Sequence, residues 1–341
     1  MTKFIFLLLP MLAFSQKTET VDLSKSIKNG KANYKNFTVI DKRSSQDIGS
    51  VMYHKDEVNL VFENNAETDL KNWFYKYNPV RGNDELVLLL ENIALIEDKK
   101  EKFSVGKLEI RASTFIKKED GYHFLYRKDT ITTVSSRTTP YLAQSLSKKL
   151  TLTFAELLKK SYEARQWDFA VSETELLNYA TVLTDKLEIL KADELKEGVY
   201  KDYYSFFTHS PEAGFTIETD KKGIATKAVN GDKKEPIRNY YAFVHNGVPF
   251  KVIPVGYVEI FRDDQGLFIE AKKEELFPES NSPMIMLGGG IGGLIGSVVA
   301  NVAISAIDAK AAKKRSTMAG SEVILDPLTG NYILPEDFIK K

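Results

Sequence analysis

Three glycines near the C-terminus, Gly288, Gly290 and Gly293, have the spacing of a loop that binds the pyrophosphate of a dinucleotide. Glycine serves there because the bare backbone can approach the phosphates at the N-terminus of a helix. The same motif needs a second strand beyond that helix and an acidic residue about 20 positions further on. Too little chain follows Gly293 to complete such a sheet, and Asp308 would lie inside the helix. The sequence therefore argues against a dinucleotide site.

The other residues that could do chemistry are dispersed along the chain. The four histidines are His54, His123, His209 and His245. None of them stands near a second ligand at metal-site spacing, and the absence of cysteine excludes thiol nucleophiles, thiolate metal ligands and disulfides. The sequence contains neither the nucleophile elbow of a serine hydrolase nor a phosphate loop followed by lysine. We therefore expect that the protein is not an enzyme and has no catalytic residue, metal site or cofactor.

The charge balance restricts the class of partner. Lysine plus arginine equals aspartate plus glutamate at 47 each, in a chain of 341 residues. A neutral chain lacks the basic excess that general nucleic-acid binding requires, so we expect no nucleic-acid partner. The length permits two domains, and a hydrophobic content of 43% is ordinary for a folded protein.

The first fifteen residues, MTKFIFLLLPMLAFS, have the pattern of a secretory signal peptide. Lys3 gives a positive start, residues 4–14 are apolar but too short to cross a bilayer, and small side chains at Ala13 and Ser15 fit the peptidase site. We predict cleavage between Ser15 and Gln16. The mature protein would then leave the cytoplasm, and we expect it in a bacterial cell envelope, facing the periplasm.

Residues 284–307, MIMLGGGIGGLIGSVVANVAISAI, carry no charge. As a helix, these 24 residues would extend about 36 Å at about 1.5 Å per residue, which is enough to cross the apolar core of a bilayer. Asp308 ends the stretch, and the basic run at residues 310–315 is typical of a cytoplasmic flank. The pattern predicts a transmembrane helix with a periplasmic body before it and a cytoplasmic tail after it.

Small residues recur along this stretch at helical spacing. Gly288, Gly292, Gly296 and Ala300 would share one face, and Asn301 could donate a hydrogen bond across it. Such a glycine zipper lets two helix backbones approach closely. We expect the membrane itself as a partner, with either a second copy of the chain or a partner membrane helix on the glycine face. A glycine-rich helix packed on the rest of the protein, or a linker, remains the alternative.

The mature body shows two kinds of periodicity. Leu70, Trp73 and Phe74 recur at helical spacing, while residues 86–90 form a continuous apolar run that suits a central strand. Further strands and a second helix follow. This order predicts an α+β fold with helices on one face of a mostly antiparallel sheet, then a small β-rich domain and the C-terminal glycine-zipper helix.

Composition divides the chain into parts with distinct expected structures. The predicted parts are a signal peptide (1–15), a flexible stretch (16–36), an α+β periplasmic domain (37–165), a connecting helix (166–195), an aromatic-rich β domain (196–275), the glycine-rich apolar helix (284–307) and a C-terminal hairpin tail (316–341). Within the β domain, Asn246–Gly247 between two β-rich runs is a strong hairpin signal. Its many aromatic residues are typical of the core of a small β domain, although they could also line a ligand groove.

The N-terminal pattern also suggests a family. Residues 86–96, 107–116 and 139–162 form an apolar strand, a hairpin strand and a long helix. This arrangement resembles the periplasmic auxiliary component of ABC-type transporters, in which such strands precede a long helix that packs on the sheet. The resemblance covers about a third of the chain, and the rest looks like a bacterial envelope protein. The family is normally lipid-anchored through a cysteine, which this chain lacks.

The resemblance implies an accessory of a transport complex. Together with the signal peptide and the glycine-rich stretch, it predicts a non-enzymatic, membrane-anchored accessory or scaffold in an envelope or transport assembly. The alternative is a periplasmic ligand-binding module that uses residues 196–275.

Overall fold

The computed structural model describes residues 17–29, 34–54, 56–264, 266–278, 320–335 and 338. Of these residues, 43% lie in strands and 22% in helices, so the described protein is mostly sheet. The predicted α+β class, with helices on one face of a sheet, is therefore wrong. The predicted glycine-zipper helix at 284–307 and the signal peptide at 1–15 lie outside the described residues.

The first part of the chain contains three long strands and two long helices. Its elements are β1 (Lys17–Thr20), β2 (Tyr34–Asp41), β3 (Ser50–Tyr53), β4 (Asp56–Val61), α1 (Ala66–Tyr77), β5 (Asp84–Lys99), β6 (Ser104–Lys118), β7 (Gly121–Ser135), α2 (Leu142–Glu163) and β8 (Ala170–Val171). Helix α1 forms where Leu70, Trp73 and Phe74 were predicted to share a face, and all three are buried.

The second part of the chain consists of short strands with short helices between them. Its elements are α3 (Tyr179–Thr184), β9 (Gly198–Tyr200), α4 (Tyr203–Phe207), β10 (Thr216–Thr219), β11 (Ala225–Asn230), β12 (Lys233–Pro236), β13 (Ala242–His245), β14 (Val248–Ile253), β15 (Gly256–Asp263), β16 (Gly266–Ala271), α5 (Lys273–Leu276), β17 (Ser321–Leu325) and β18 (Tyr332–Ile333). The turn between β13 and β14 is the predicted one: Asn246 and Gly247 both have positive φ, as a two-residue hairpin requires.

The strands of the described residues form four sheets. A five-stranded sheet has the order β2-β5-β6-β7-β8, and a seven-stranded antiparallel sheet has the order β18-β17-β16-β15-β14-β13-β9. Two three-stranded sheets have the orders β1-β4-β3 and β10-β11-β12. Strand β1 lies in the stretch predicted to be flexible. It pairs with β4, and the following Val21 and Ile27 are buried in the core.

Strand β5 is buried on both faces. Leu86, Leu88 and Leu90 pack with α1 and α2 in one hydrophobic cluster. Val87 and Leu89 belong to a second cluster, which also contains core residues of the seven-stranded sheet. Alternate residues of a strand point to opposite faces, so the continuous apolar run supplies both clusters at once. The fold class could not be predicted because a second sheet, and not solvent, covers this face.

The segment predicted as one connecting helix consists of shorter pieces. Residues 166–195 contain β8, α3 and the 3₁₀ turns Glu173–Asn178 and Glu188–Leu190. Trp167, Tyr179 and Leu183 are almost fully buried in the second cluster. A single straight helix would point some of these side chains away from the core. The chain instead turns several times, so that all three are buried.

The C-terminal tail, residues 320–335, belongs to the same sheet as the body. Strand β17 pairs with β16, with Ala271 opposite Ser321 and Phe268 opposite Ile324. The chain therefore leaves this sheet after β16 and rejoins it beside the same strand. The predicted arrangement, with a periplasmic body and a cytoplasmic tail on opposite sides of one span, is wrong for that reason. Among the described residues, no helix is long and apolar enough to span a membrane.

The double burial of β5 can be tested by truncating one residue on each face. We expect Leu88→Ala and Leu89→Ala each to lower the free energy of unfolding by about 2–5 kcal/mol, because each leaves a cavity in a packed cluster. Chemical denaturation of the purified protein measures both. The control is Leu152→Ala on α2, where the side chain is 46% exposed and the expected change is within about 0.5 kcal/mol. A Leu89→Ala effect as small as the control would contradict the second buried face.

Candidate functional site

All of the site residues predicted from the sequence lie outside the described residues. These are the helix-packing positions Gly288, Gly292, Gly296, Ala300 and Asn301, and the cleavage positions Ser15 and Gln16. The structure therefore leaves them as predictions. It does show how the chain enters and leaves the stretch between residues 278 and 320, hereafter the insert (residues 279–319).

The two ends of the insert are held close together on the body. Before the insert, Leu276 is buried and the Phe277 ring lies 6.5 Å from the Tyr332 ring, between centroids. After it, Gly320 approaches β16 so closely that an added Cβ would lie 2.8 Å from the backbone nitrogen of Ala271. Any larger residue at position 320 would collide with the strand. Both ends are thus fixed by packing and by strand pairing.

A charged cleft of about 360 Å³ separates the five-stranded sheet from the tail. Its charged walls are Glu109 and Arg111 on β6, Arg127, Lys128 and Asp129 on β7, and Asp326 in the tail. The three cations equal the three carboxylates in number. The cleft therefore has no net charge with which to attract an ion.

Each cation of this charged cleft is already paired. Arg127 donates from Nη2 to Asp326 Oδ2 at 2.9 Å, and Arg111 donates from Nε to Asp129 Oδ2 at 2.8 Å. Lys128 pairs with Glu156 on α2 at 3.0 Å. Burial disfavours the charge on Arg127, yet the neighbouring Asp326 keeps the pKa of the guanidinium above its ordinary value. The Arg127–Asp326 pair therefore fastens the tail to the sheet, and none of the three cations is free to bind a substrate.

The tail turn presents Asp326 to Arg127. Asp326 Oδ1 accepts a hydrogen bond from the backbone N–H of Leu328, and Oδ2 accepts one from the Thr329 hydroxyl at 2.7 Å. Gly330 closes the turn with a positive φ of 69°. These bonds hold the carboxylate in place, so the ion pair needs little reorganisation when the tail docks.

A hydrogen-bonded set of polar side chains joins Glu91 on β5, Ser113 on β6 and Tyr179 on α3. Ser113 donates to Glu91 Oε2 at 2.7 Å, and the Tyr179 hydroxyl lies 2.5 Å from the Ser113 hydroxyl. Burial raises the pKa of Glu91, although the hydrogen bond from Ser113 opposes the rise. The set combines a hydroxyl with a carboxylate, but Ser113 is fully buried, so a substrate cannot reach it.

Lys251 is a buried lysine without a carboxylate partner among the described residues. Its ammonium donates to the backbone carbonyls of Tyr241 at 3.2 Å and Val252 at 2.6 Å. It also lies 3.9 Å from the centroid of the Tyr241 ring and 5.8 Å from that of Tyr332 on β18. Burial lowers the pKa of Lys251 to about 7. Lys251 does not line the charged cleft, so we assign it no catalytic role.

A second depression, the acidic groove, has a volume of about 540 Å³. Its floor is buried and apolar, formed by Ile189, Phe206, Ile260 and Leu267. Its rim carries Asp193, Glu194, Glu197, Phe261 and Arg262. A groove of this size, with an apolar floor and a few charged groups, has the general character of a binding site.

The aromatic residues of the β-rich part are mostly core. Tyr200, Phe206, Phe207 and Phe243 are at most 1% exposed. Of the aromatic residues between positions 199 and 271, only Phe206 and Phe261 line the acidic groove. The predicted core role is therefore confirmed for the buried residues, and the groove owes its character to other side chains.

The histidines do not converge, and no group of metal-ligating side chains occurs in the part of the chain that the structure describes. His123 is buried, with Nδ1 2.9 Å from the carbonyl oxygen of Trp167 and Nε2 2.9 Å from Asp120. His209 accepts the backbone N–H of Lys196 at 2.7 Å, and burial lowers its pKa. His123 thus stabilises the segment at Trp167, and His209 stabilises the segment at Lys196.

Sequence reasoning missed Lys251, the Arg127–Asp326 pair and the acidic groove. Lys251 stands in the otherwise apolar run Pro-Phe-Lys-Val-Ile, which was a usable signal for a buried lysine. Arg127 and Asp326 are 199 positions apart, and no local pattern relates them. The groove combines the 189–197 segment with β15 and β16, so it too depends on long-range packing.

Comparison with known proteins assigns no family to this chain. No family model matches the chain, and no curated protein matches it. Among solved structures, a minor lipoprotein from Acinetobacter baumannii shares 13% identity over 39% of this chain and 98% of that chain, with a TM-score of 0.22. A likeness at that TM-score supports no conclusion about fold or function. The resemblance to the auxiliary component of ABC-type transporters stays a prediction from the sequence pattern.

The lowered pKa of Lys251 predicts a specific dependence of stability on pH. The folded state releases this proton near pH 7, while the unfolded chain keeps it until about pH 10.4. Stability should therefore rise with pH between those values, by about 1.4 kcal/mol per pH unit for this group. We expect Lys251→Met to be more stable than the natural protein at pH 7 and to lack this rise, because methionine fills a similar volume without a charge.

Urea denaturation at pH 7, 8 and 9 measures the difference between the two proteins. The matched control is Lys128→Met, which removes a lysine that does have a carboxylate partner, Glu156, and which should be destabilising. Parallel pH profiles for Lys251→Met and the natural protein would show that Lys251 is not the group concerned.

Proposed function

We propose that this protein is a non-enzymatic accessory or scaffold of a bacterial cell envelope, attached to a membrane through the insert. The observation that carries the proposal is the pairing of β16 with β17 on either side of residues 279–319. A folded body thereby holds a long stretch, uncharged over residues 284–307, at both of its ends. The described sheets form without this stretch, and in our proposal its apolar side chains contact a membrane.

The export signal predicted at residues 1–15 supports the envelope location in this proposal. The small residues of the insert support association with a second copy or with a partner membrane helix. The absence of an enzymatic role is part of the same proposal. Its support is the pairing of the charged-cleft cations and the closed position of Ser113 and Glu91.

Strand pairing supports one sidedness for the proposed attachment. Because β17 belongs to the body's sheet, residues 278 and 320 lie on the same side of any membrane that the insert contacts. The basic run at 310–315 is only a few residues from Gly320. In the proposed arrangement that run faces the lipid headgroups from the body's side, where its charge attracts anionic lipid.

Carbonate extraction tests the attachment. The full chain is compared with a variant in which residues 281–318 are replaced by a short glycine-serine linker, so that β17 can still pair with β16. We expect the full chain in the membrane pellet and the variant in the supernatant. A second variant with a polar insert of the original length separates loss of apolar character from loss of length, and it too should be soluble. Release of the full chain by carbonate would refute membrane insertion.

Disulfide trapping tests the sidedness. The chain has no cysteine, so the double variant Glu270→Cys/Glu322→Cys carries a single possible bridge. The two positions are exposed register partners, and directly opposite residues have Cβ atoms about 4.5–5.5 Å apart, close to disulfide range. We expect the bridge to form on mild oxidation of membrane-bound protein, as judged by a mobility shift that reductant reverses.

The matched control for this trapping is Glu259→Cys/Glu322→Cys. Glu259 lies on β15, one strand further from β17, at about 10 Å in a regular sheet. This pair should stay reduced. A failure of Glu270→Cys/Glu322→Cys to bridge in membranes, when it does bridge in detergent, would show that the tail crosses to the other side.

A further inference from the structure

The acidic groove has an unbalanced rim above an apolar floor. Three carboxylates, those of Asp193, Glu194 and Glu197, face one guanidinium, that of Arg262. Arg262 donates from Nη1 to the carbonyl oxygens of Ala192 at 2.8 Å and Leu190 at 3.5 Å. Its donors are thus directed at the backbone of the rim segment, and the groove keeps a net negative charge.

The carboxylates differ in what they contact. Glu197 Oε1 accepts a hydrogen bond from the backbone N–H of Gly247 at 2.5 Å, which fixes the rim segment to the β13–β14 turn. Asp193 and Glu194 are exposed, and no side chain or backbone group of the described residues pairs with either carboxylate. Phe261, 37% exposed, adds an apolar surface to the same rim.

We propose that the acidic groove binds an exposed segment of a partner protein that carries lysine or arginine next to an apolar residue. The proposal goes beyond membrane attachment, since it concerns the 189–197 segment with β15 and β16 and no residue of the insert.

Charge and shape together select this occupant. A lysine or arginine side chain can lay its methylene stem along Phe261 while its charged head meets Asp193 and Glu194. The neighbouring apolar side chain can contact Ile260 and Leu267 on the floor of the groove. Both residues are largely buried, but each has a few atoms that line the groove. A purely apolar segment would leave both free carboxylates partly desolvated and unpaired. An acidic one would be repelled.

Fluorescence anisotropy with the full chain in a non-ionic detergent tests the proposal. The probe is a labelled eight-residue peptide with one leucine between two lysines in a glycine-serine background, and the matched probe has glutamates in place of the lysines. We expect saturable binding of the lysine peptide only, and weaker binding as the salt concentration rises, because exposed charge pairs are screened. Micelles without protein control for partition of the peptide.

Variants of the rim locate the site. Asp193→Asn/Glu194→Gln should weaken binding about fivefold to tenfold, the effect of losing two exposed charge pairs. Phe261→Ser should weaken it as well, which simple charge attraction would not predict. The control Glu119→Gln/Asp232→Asn removes two exposed carboxylates elsewhere and should bind as the natural protein does.

Several outcomes would overturn the proposal. These are equal binding of the glutamate peptide, unchanged affinity in Asp193→Asn/Glu194→Gln, an equal loss in the control variant, or displacement by a simple diamine at the same concentration as by the lysine peptide. All four are independent of membrane attachment, because the variant with residues 281–318 replaced should bind the peptide with the affinity of the full chain.

Discussion

The pairing of β16 with β17 determines where the tail, residues 320–335, lies on the body. It is an ordinary antiparallel ladder, but the two strands come from either side of residues 279–319. Once β17 is in place, the tail turn brings Asp326 to Arg127 on β7, and β18 brings Tyr332 to the buried amine of Lys251. The tail is therefore part of the body in a structural sense, although the sequence places a long apolar stretch before it.

The contacts of the tail differ in their electrostatic character. The Arg127–Asp326 pair is buried but balanced, and removal of either partner would leave a charge in a poorly solvated place. Lys251 has no such balance. Burial raises the pKa of Tyr241 and Tyr332, so neither phenol supplies an anion at neutral pH. The tail turn is thus held by the Arg127–Asp326 ion pair, in which the two charges balance. Strand β18 instead lies near Lys251, whose positive charge is disfavoured by burial.

Local features of the fold could be read from the sequence with some success. The stripe of α1, the Asn246–Gly247 hairpin and the central strand at 86–90 all depend on neighbours within a few residues. The fold class failed because the second face of β5 is covered by a sheet formed more than 100 residues later. The charged cleft and the acidic groove could not be predicted for the same reason, since Arg127 meets Asp326, and the 189–197 segment meets β15, only after both sheets have formed.

The close approach of Gly320 to Ala271 has a consequence for how the chain can vary. A contact with backbone atoms cannot be relieved by a change of rotamer, so a larger residue at position 320 would have to displace β17 from β16. The Arg127–Asp326 pair depends on that placement of β17. This one glycine can therefore be replaced only by giving up the docked tail.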